Sequence, residues 1–229
     1  MHQARAHGMA PDDNAWRVQA AMMNWLEGNW REPDEGIWEV RGGRNQFTHS
    51  KVMAWVAFDR AVKAVEQHGL GGDAARWRGL RAEVHEEVCA YAVDDRGAFT
   101  QSFGGQTLDA STLLIPLVGF LPAGDPRVVA TVEAIQRELT TGGPVRRYQV
   151  NHADDGVGGK EGAFLLCSFW LVDCLALMGR RDQATALYER LLACATTSVS
   201  WPRSTTPSPA NNSATSPRPS PTLPSPAVP

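Results

Sequence analysis

Apolar side chains return every third or fourth position through most of this 229-residue chain, the spacing of a helix with one buried stripe. Asp12 or Asp13 can cap a first helix that carries Trp16, Ala20, Met23 and Leu26 and ends near Gly28. A second opens at Thr48 or Ser50, turns Val52, Trp55, Val56, Ala61 and Val65 to one side, and stops at Gly69. Asp73 caps a third with Trp77, Leu80, Val84 and Val88 inward. Residues 97–105 read as a turn or short extended piece. Asp109 then caps a short apolar helix over 113–120, stopped by Pro122, and Asp125–Pro126 starts another that runs to about Leu139. The segment 162–178 is apolar nearly all round except at Asp173. It is too short and interrupted for a membrane span, so a fully buried core helix is expected. A last amphipathic helix covers 182–193, with Ala184, Leu187, Leu191 and Leu192 inward. No stretch alternates like a strand. The pattern predicts an all-α fold of antiparallel helix pairs joined by loops of unequal length.

Composition then sets limits. Beyond residue 194 the periodicity gives way to a run of Ser, Thr, Pro, Ala and Asn that cannot bury enough apolar surface to offset its ordering entropy. Residues 195–229 are therefore expected to be a disordered tail. Residues 1–13 read as a disordered or truncated start, which leaves 14–194 as the folded unit. With a net charge of -3 and scattered Lys and Arg, nothing favours nucleic acid or an anionic membrane as a partner. The start has no apolar core for a secretory signal, which points to the cytoplasm. Cys89, Cys167, Cys174 and Cys194 form no CxxC pair and no metal-ligand spacing. Cys167 and Cys174 fall on one buried face as reduced structural thiols. No metal and no cofactor is expected, and the composition is silent on oligomeric state.

Two loops carry most of the chemistry. The first is PDEGIWEVRGG at 33–43, where Glu32, Asp34, Glu35 and Glu39 crowd around Trp38 and face Arg41. Trp38 offers a flat apolar face of the kind on which sugar rings stack. Glu39 beside it is expected to be partly desolvated, which raises a carboxyl pKa towards the range of a general acid. A solvated, charged surface turn is the plainer reading of the same residues. The second loop, over 142–163, holds Arg146, Arg147, Tyr148, His152, Asp154, Asp155 and Glu161. Long loops in a compact domain are either functional or disordered, and this mix of Arg, Tyr, Asp and Glu favours function.

The ordered motifs PDEGIWEVRGG, HSKVMAWVAFDRA, LDASTLLIP (108–116), RRY (146–148) and EGAFLLCSFWL (161–171) span roughly residues 14–194. Together they resemble glycoside hydrolase family 15, the glucoamylase and bacterial trehalase family. The resemblance implies an (α/α)6 toroid of twelve helices that hydrolyses terminal α-glucosidic bonds with inversion, using two glutamates. It implies Glu39 as the general acid, with Trp38 and Arg41 shaping the pocket. Arg147 and Tyr148 then hydrogen-bond the terminal sugar, and Glu161 binds a hydroxyl at the rim. The substrate is an α-glucoside: trehalose, a maltooligosaccharide or similar. Seven predicted helices against twelve make this a partial toroid, the C-terminal half of the catalytic domain, with its inner helices left as a contiguous apolar surface.

Inversion needs a second carboxylate about 6.5–9.5 Å from the acid, with a water between them. In the family that base sits in a stretch resembling LLAEEYDP, shortly beyond a helix that matches YERLL. Here YERLL (188–192) is followed by Ala193, Cys194 and the Ser/Thr/Pro tail, so the base is missing. Reading the tail's codons one base earlier accounts for this. Trp201 then permits Leu, Pro202 permits Ala, Arg203 and Ser204 permit Glu, and Thr205 and Thr206 permit Tyr and Asp. From Ala195 to Thr222, synonymous codons allow RNDVGLLAEEYDPVAGQQLGNFPQAFSH, the family's continuation with its base glutamate. The expectation is a frameshift just before Ala195, natural or a sequencing error, and a chain inactive as written. The competing expectation is a non-enzymatic helical-hairpin interaction scaffold, against which no period of roughly 20–50 residues recurs.

Overall fold

The computed structural model describes residues 2–10, 12–39, 42–140, 144–149 and 164–198, and of 194–198 only the backbone. Among the described residues the chain is helical, with β pairing confined to isolated bridges, as the periodicity predicts. The elements are α1 (His2–Ala6), α2 (Asp13–Asn29), α3 (Thr48–His68), α4 (Ala74–Tyr91), a 3₁₀ turn (Ala110–Leu113), α5 (Leu114–Leu117), α6 (Pro126–Glu138), α7 (Leu165–Leu177) and α8 (Arg181–Ser198). None of these helices is long and apolar enough to cross a membrane.

The caps explain most of the boundaries. Asp12 accepts the N–H groups of Asn14 and Ala15 at 2.8 and 3.0 Å, and Asp73 accepts that of Arg76 at 3.0 Å. Asp125 caps α6, with Pro126 at its first position. Gly69 ends α3 in the left-handed conformation, φ 66°. Thr48 does not cap α3. It is the first helical residue and fully buried, while Phe47 precedes it without a side-chain cap.

Packing is densest where consecutive helices fold back on each other, α3 against α4 and α7 against α8. Phe58, Val62, Val84 and Val88 close the α3–α4 seam with no more than 1% exposure. The buried Asp59 carboxylate ties the same two helices electrostatically, meeting Lys63 at 2.7 Å and Arg81 at 3.0 Å as well as Arg60. The α2 helix joins through Trp16, whose indole donates to the Gly71 carbonyl at 2.7 Å and meets Trp77 edge to face.

Three expectations are corrected. In the start of the chain, read as disordered or truncated, the disordered alternative gives way to α1: Arg5 is buried, with its guanidinium 5.4 Å from the Trp16 ring centre. At the other end, the α8 backbone continues to Ser198, past the boundary expected at 194. Nor is α7 buried all round. Cys167, Ser168, Leu171, Cys174 and Leu175 face the core, but Leu165, Leu166, Phe169 and Leu177 are exposed. The two cysteines do share a buried face; Cys174 donates to the Leu113 carbonyl at 3.1 Å, and burial pushes its thiol pKa up to about 12.

The exposed apolar side chains have a pattern. They include Val18, Met22 and Trp25 on α2, Met53 on α3, the outer face of α7, and Tyr188 and Leu192 on α8. Between Met53 and Phe164, Tyr91 is the only large apolar side chain exposed among the described residues. The middle of the helix series is sealed, and its two ends are open.

Candidate active site

The loop from the end of α2 to Glu39 is built to turn. Asp34 pairs its backbone with Asn45 at 3.0 and 2.9 Å, and its carboxylate accepts the Ser50 hydroxyl at 2.7 Å and the Gly36 N–H at 2.6 Å. Gly36 stands at φ 71° over the Phe47 ring, where a Cβ would come within 2.9 Å of the ring carbon Cγ; only glycine fits there. The Glu39 N–H then reaches back to the Gly36 carbonyl at 3.3 Å.

Trp38 is held from several sides. Its indole N–H donates to both carboxylate oxygens of Asp109, each at 3.0 Å. Asp109 is 2% exposed and also accepts the Gln101 amide at 3.0 Å and the Ser111 N–H at 2.7 Å. Phe164 meets the Trp38 ring edge-on at 5.7 Å, and Trp170 lies tilted at 6.3 Å. The Arg147 guanidinium sits 5.4 Å from the Trp38 ring centre and 5.3 Å from that of Tyr148, a cation between two aromatic faces.

Arg147 is placed by its backbone. Its carbonyl accepts the Ala110 N–H at 2.7 Å, and Tyr148 pairs with Asp109 in an isolated antiparallel bridge. Upstream, the Val145 N–H donates to Ser168 on α7 at 2.8 Å, and Arg146 donates to the Glu138 carbonyl at 3.0 Å. The RRY segment is therefore stitched to the start of the 3₁₀ turn, to α6 and to α7 at once. Tyr148 itself is 1% exposed, so its ring is a floor beneath Arg147.

The structure thus brings Trp38, Arg147 and Tyr148 together, with Glu39 following Trp38 in the chain. Arg41 and Glu161, with His152, Asp154 and Asp155, lie outside the described residues, as does the tail from residue 199. Glu39 differs from expectation: its side chain is exposed rather than tucked against Trp38. Its backbone carries the unusual feature, φ 49°, the one positive φ at a non-glycine position among the described residues. Such a conformation costs of order 1–3 kcal/mol, persists only where surrounding contacts impose it, and clusters at functional sites.

Sequence reasoning missed Asp109 as a site residue, having read it only as a cap, and missed His49 and Gln101. His49 lines a narrow recess with Trp38, Phe47, Gln101, Asp109 and Ser111. Burial pushes its pKa down, and the Asp109 and Asp34 carboxylates only partly oppose this, so the neutral imidazole that can donate and accept is favoured. An apolar groove of about 520 Å³ continues from there between Met22, Trp25, Ile37 and Met53. A larger cavity of about 760 Å³ lies between α6, α7 and α8, but no carboxylate lines it. No group of three or more His, Cys, Asp or Glu among the described residues could hold a metal ion.

The sequence model described as glycosyl hydrolases family 15 matches residues 1–219. A trehalase of Mycobacterium tuberculosis is 47% identical over 192 residues, covering 84% of this chain and 28% of that protein. A trehalase of Thermoplasma acidophilum is 36% identical over 194 residues, 84% of this chain and 33% of its own length. The chain therefore spans about a third or less of these relatives. Among solved structures, a wild-type glycosidase superposes with a TM-score of 0.66 at 23% identity, over 80% of this chain and 47% of that one. The glucoamylase of Saccharomycopsis fibuligera follows at 0.53 and 12% identity, over 66% and 36%. At these identities the two structures speak for the fold, a section of a helical toroid.

Proposed function

Because the chain belongs to glycosyl hydrolases family 15, we propose that it carries the acid half of an inverting site for terminal α-glucosidic bonds, with trehalose as the substrate. The observation that supports this most is the pairing of a pinned aromatic with a strained acid: Trp38 locked by Asp109 and stacked by Arg147, followed at once by Glu39 at φ 49°. In this reading Trp38 is the platform for a glucose ring, and Glu39 protonates the departing glycosidic oxygen. Arg147 donates to sugar hydroxyls from its fixed place over Tyr148; Arg41 and Glu161 complete the pocket. Water attacks the anomeric carbon from the opposite face, activated by a second carboxylate about 6.5–9.5 Å from the acid. That base is the glutamate of the shifted reading frame beyond Ala195, so the chain as written lacks turnover. Trehalose is chosen over maltooligosaccharides because the aligned relatives are described as trehalases.

The test is glucose release from trehalose, maltose and starch by three proteins: this chain, a frame-restored version, and a frame-restored full-length gene product. Release from trehalose by the full-length protein alone is expected, and Glu39→Gln in that protein should lower turnover at least about a hundredfold, the lower end of the range for removing a general acid. Turnover by the chain as written overturns the missing base. No release by the restored full-length protein favours a non-enzymatic helical scaffold.

A further inference from the structure

Three consecutive carbonyls where α2 ends, those of Trp30, Arg31 and Glu32, are all occupied by side chains from the start of α3 and the residues before it. Lys51 is 2% exposed and donates through Nζ to the Trp30 carbonyl at 2.6 Å and the Glu32 carbonyl at 2.7 Å. Gln46 donates to the Arg31 carbonyl at 2.8 Å. Carbonyls at a helix C-terminus ordinarily turn to water or to a glycine cap, and a cation there is favoured by the helix dipole. A buried lysine in that place is costly unless its donors are used, and two are.

The neighbours of Lys51 grip the next part of the same loop. Ser50 holds Asp34, Asp34 holds the Gly36 N–H, and the Phe47 ring lies under Gly36. The Glu39 N–H ends this chain of contacts on the Gly36 carbonyl. Residues 46–51 thus fix the loop at Trp30, Arg31, Glu32, Asp34 and Gly36, and Lys51 holds the first and third of these points, on either side of the one held by Gln46.

We propose that Lys51 is a positioning residue for Glu39: it anchors the root of the loop so that the strained turn ending at Glu39 keeps one geometry. The role rests on the reading of Glu39 as the acid, but the anchoring can be measured without turnover. Hydrogen exchange by mass spectrometry on this chain compares peptides over 31–39 with peptides within α3 and α4. Lys51→Met, similar in length and without donors, should raise exchange in 31–39 at least tenfold and leave the α3 and α4 peptides within twofold. Lys51→Arg should recover at least part of the protection. Ser50→Ala, which leaves the Lys51 contacts in place, should raise exchange only around Asp34 and Gly36. A rise spread evenly over 31–39, α3 and α4, or no rise at all, overturns the proposal. In a ring-complete, active protein, Lys51→Met should lower kcat more than tenfold with KM within threefold. Altered exchange without that kinetic split would retain the anchor but overturn its part in positioning Glu39, whose acid role Glu39→Gln tests separately.

Discussion

The α3–α4 and α7–α8 hairpins are built from the same pattern of short turns and apolar stripes, yet their surroundings differ. Both α2 and the 3₁₀ turn pack against α3, and its seam with α4 holds a buried ionic cluster around Asp59. On α7 one face meets the core and the other carries Leu165, Leu166 and Phe169 into solvent. At the far end of the series α2 repeats this, with Met22 at 60% and Trp25 at 67% exposure. Helices of an open bundle would hide their apolar faces wherever the chain ends. Helices cut from a closed ring leave them bare at both cut edges, and the 47% coverage of the glycosidase structure fits the second case.

The largest effect that would break this contrast lies in the middle. Phe58 is 0% exposed in the α3–α4 seam, so Phe58→Ala should cost about 3–5 kcal/mol in chemical denaturation. A loss below about 1 kcal/mol would mean that the middle packs no better than the ends.

Next comes Asp59. Burial alone would raise its pKa, but Lys63, Arg60 and Arg81 outweigh burial and hold it below the ordinary value of 3.8. A carboxylate whose folded pKa is depressed stabilises the fold above its unfolded pKa and loses that contribution as the pH falls through the folded one. Melting temperatures should therefore drop as the pH is taken below 3.8. Asp59→Asn should cost about 1–3 kcal/mol at neutral pH and flatten this part of the profile. An unchanged profile in the variant would show that other carboxylates carry the acid sensitivity.

Trp38 connects the two regions, bonded to Asp109 from the middle and packed on Phe164 and Trp170 from the open end. Trp38→Phe keeps a ring but removes the N–H that Asp109 accepts, and should cost about 1–2 kcal/mol. Near-ultraviolet circular dichroism should change with it, since the Phe164 and Trp170 contacts shift. Stability equal to the parent's would mean that the Gln101 and Ser111 donors suffice for Asp109 alone.

What could be read in advance follows the same division. Helix identity, the caps at Asp12, Asp73 and Asp125, and the stop at Gly69 depend on near neighbours, and the periodicity located them. Asp109 shows where this ends. A cap residue accepting the N–H of Ser111 is visible in spacing, but its second task, holding Trp38 from 71 positions away, depends on how the helices stack. Lys51 was hidden for the same reason, since a lysine in an apolar stripe reads as a solvated break until the carbonyls above it are known. The reading of α7 as fully buried took apolar residues all round to mean neighbours all round. In a section of a ring the sequence is that of the closed ring, so the neighbours it implies are not all in this chain.

The smallest expected effect tests the open ends directly. Trp25→Ser and Leu166→Ser remove large apolar side chains from positions 67% and 48% exposed, where folding gains little from burying them. Each should shift stability by about 0.5 kcal/mol, mostly the lower helix propensity of serine. Their effect should appear instead in sedimentation velocity, as less self-association than the parent chain at the same concentration, because the bare faces are what copies of the chain can share. A cost near that of Phe58→Ala would show that these faces are already covered within one molecule, and the contrast between a sealed middle and two cut edges would fail. In the frame-restored full-length protein the same substitutions should become costly, at about 2–5 kcal/mol each, because the remaining helices of the ring would then pack against them.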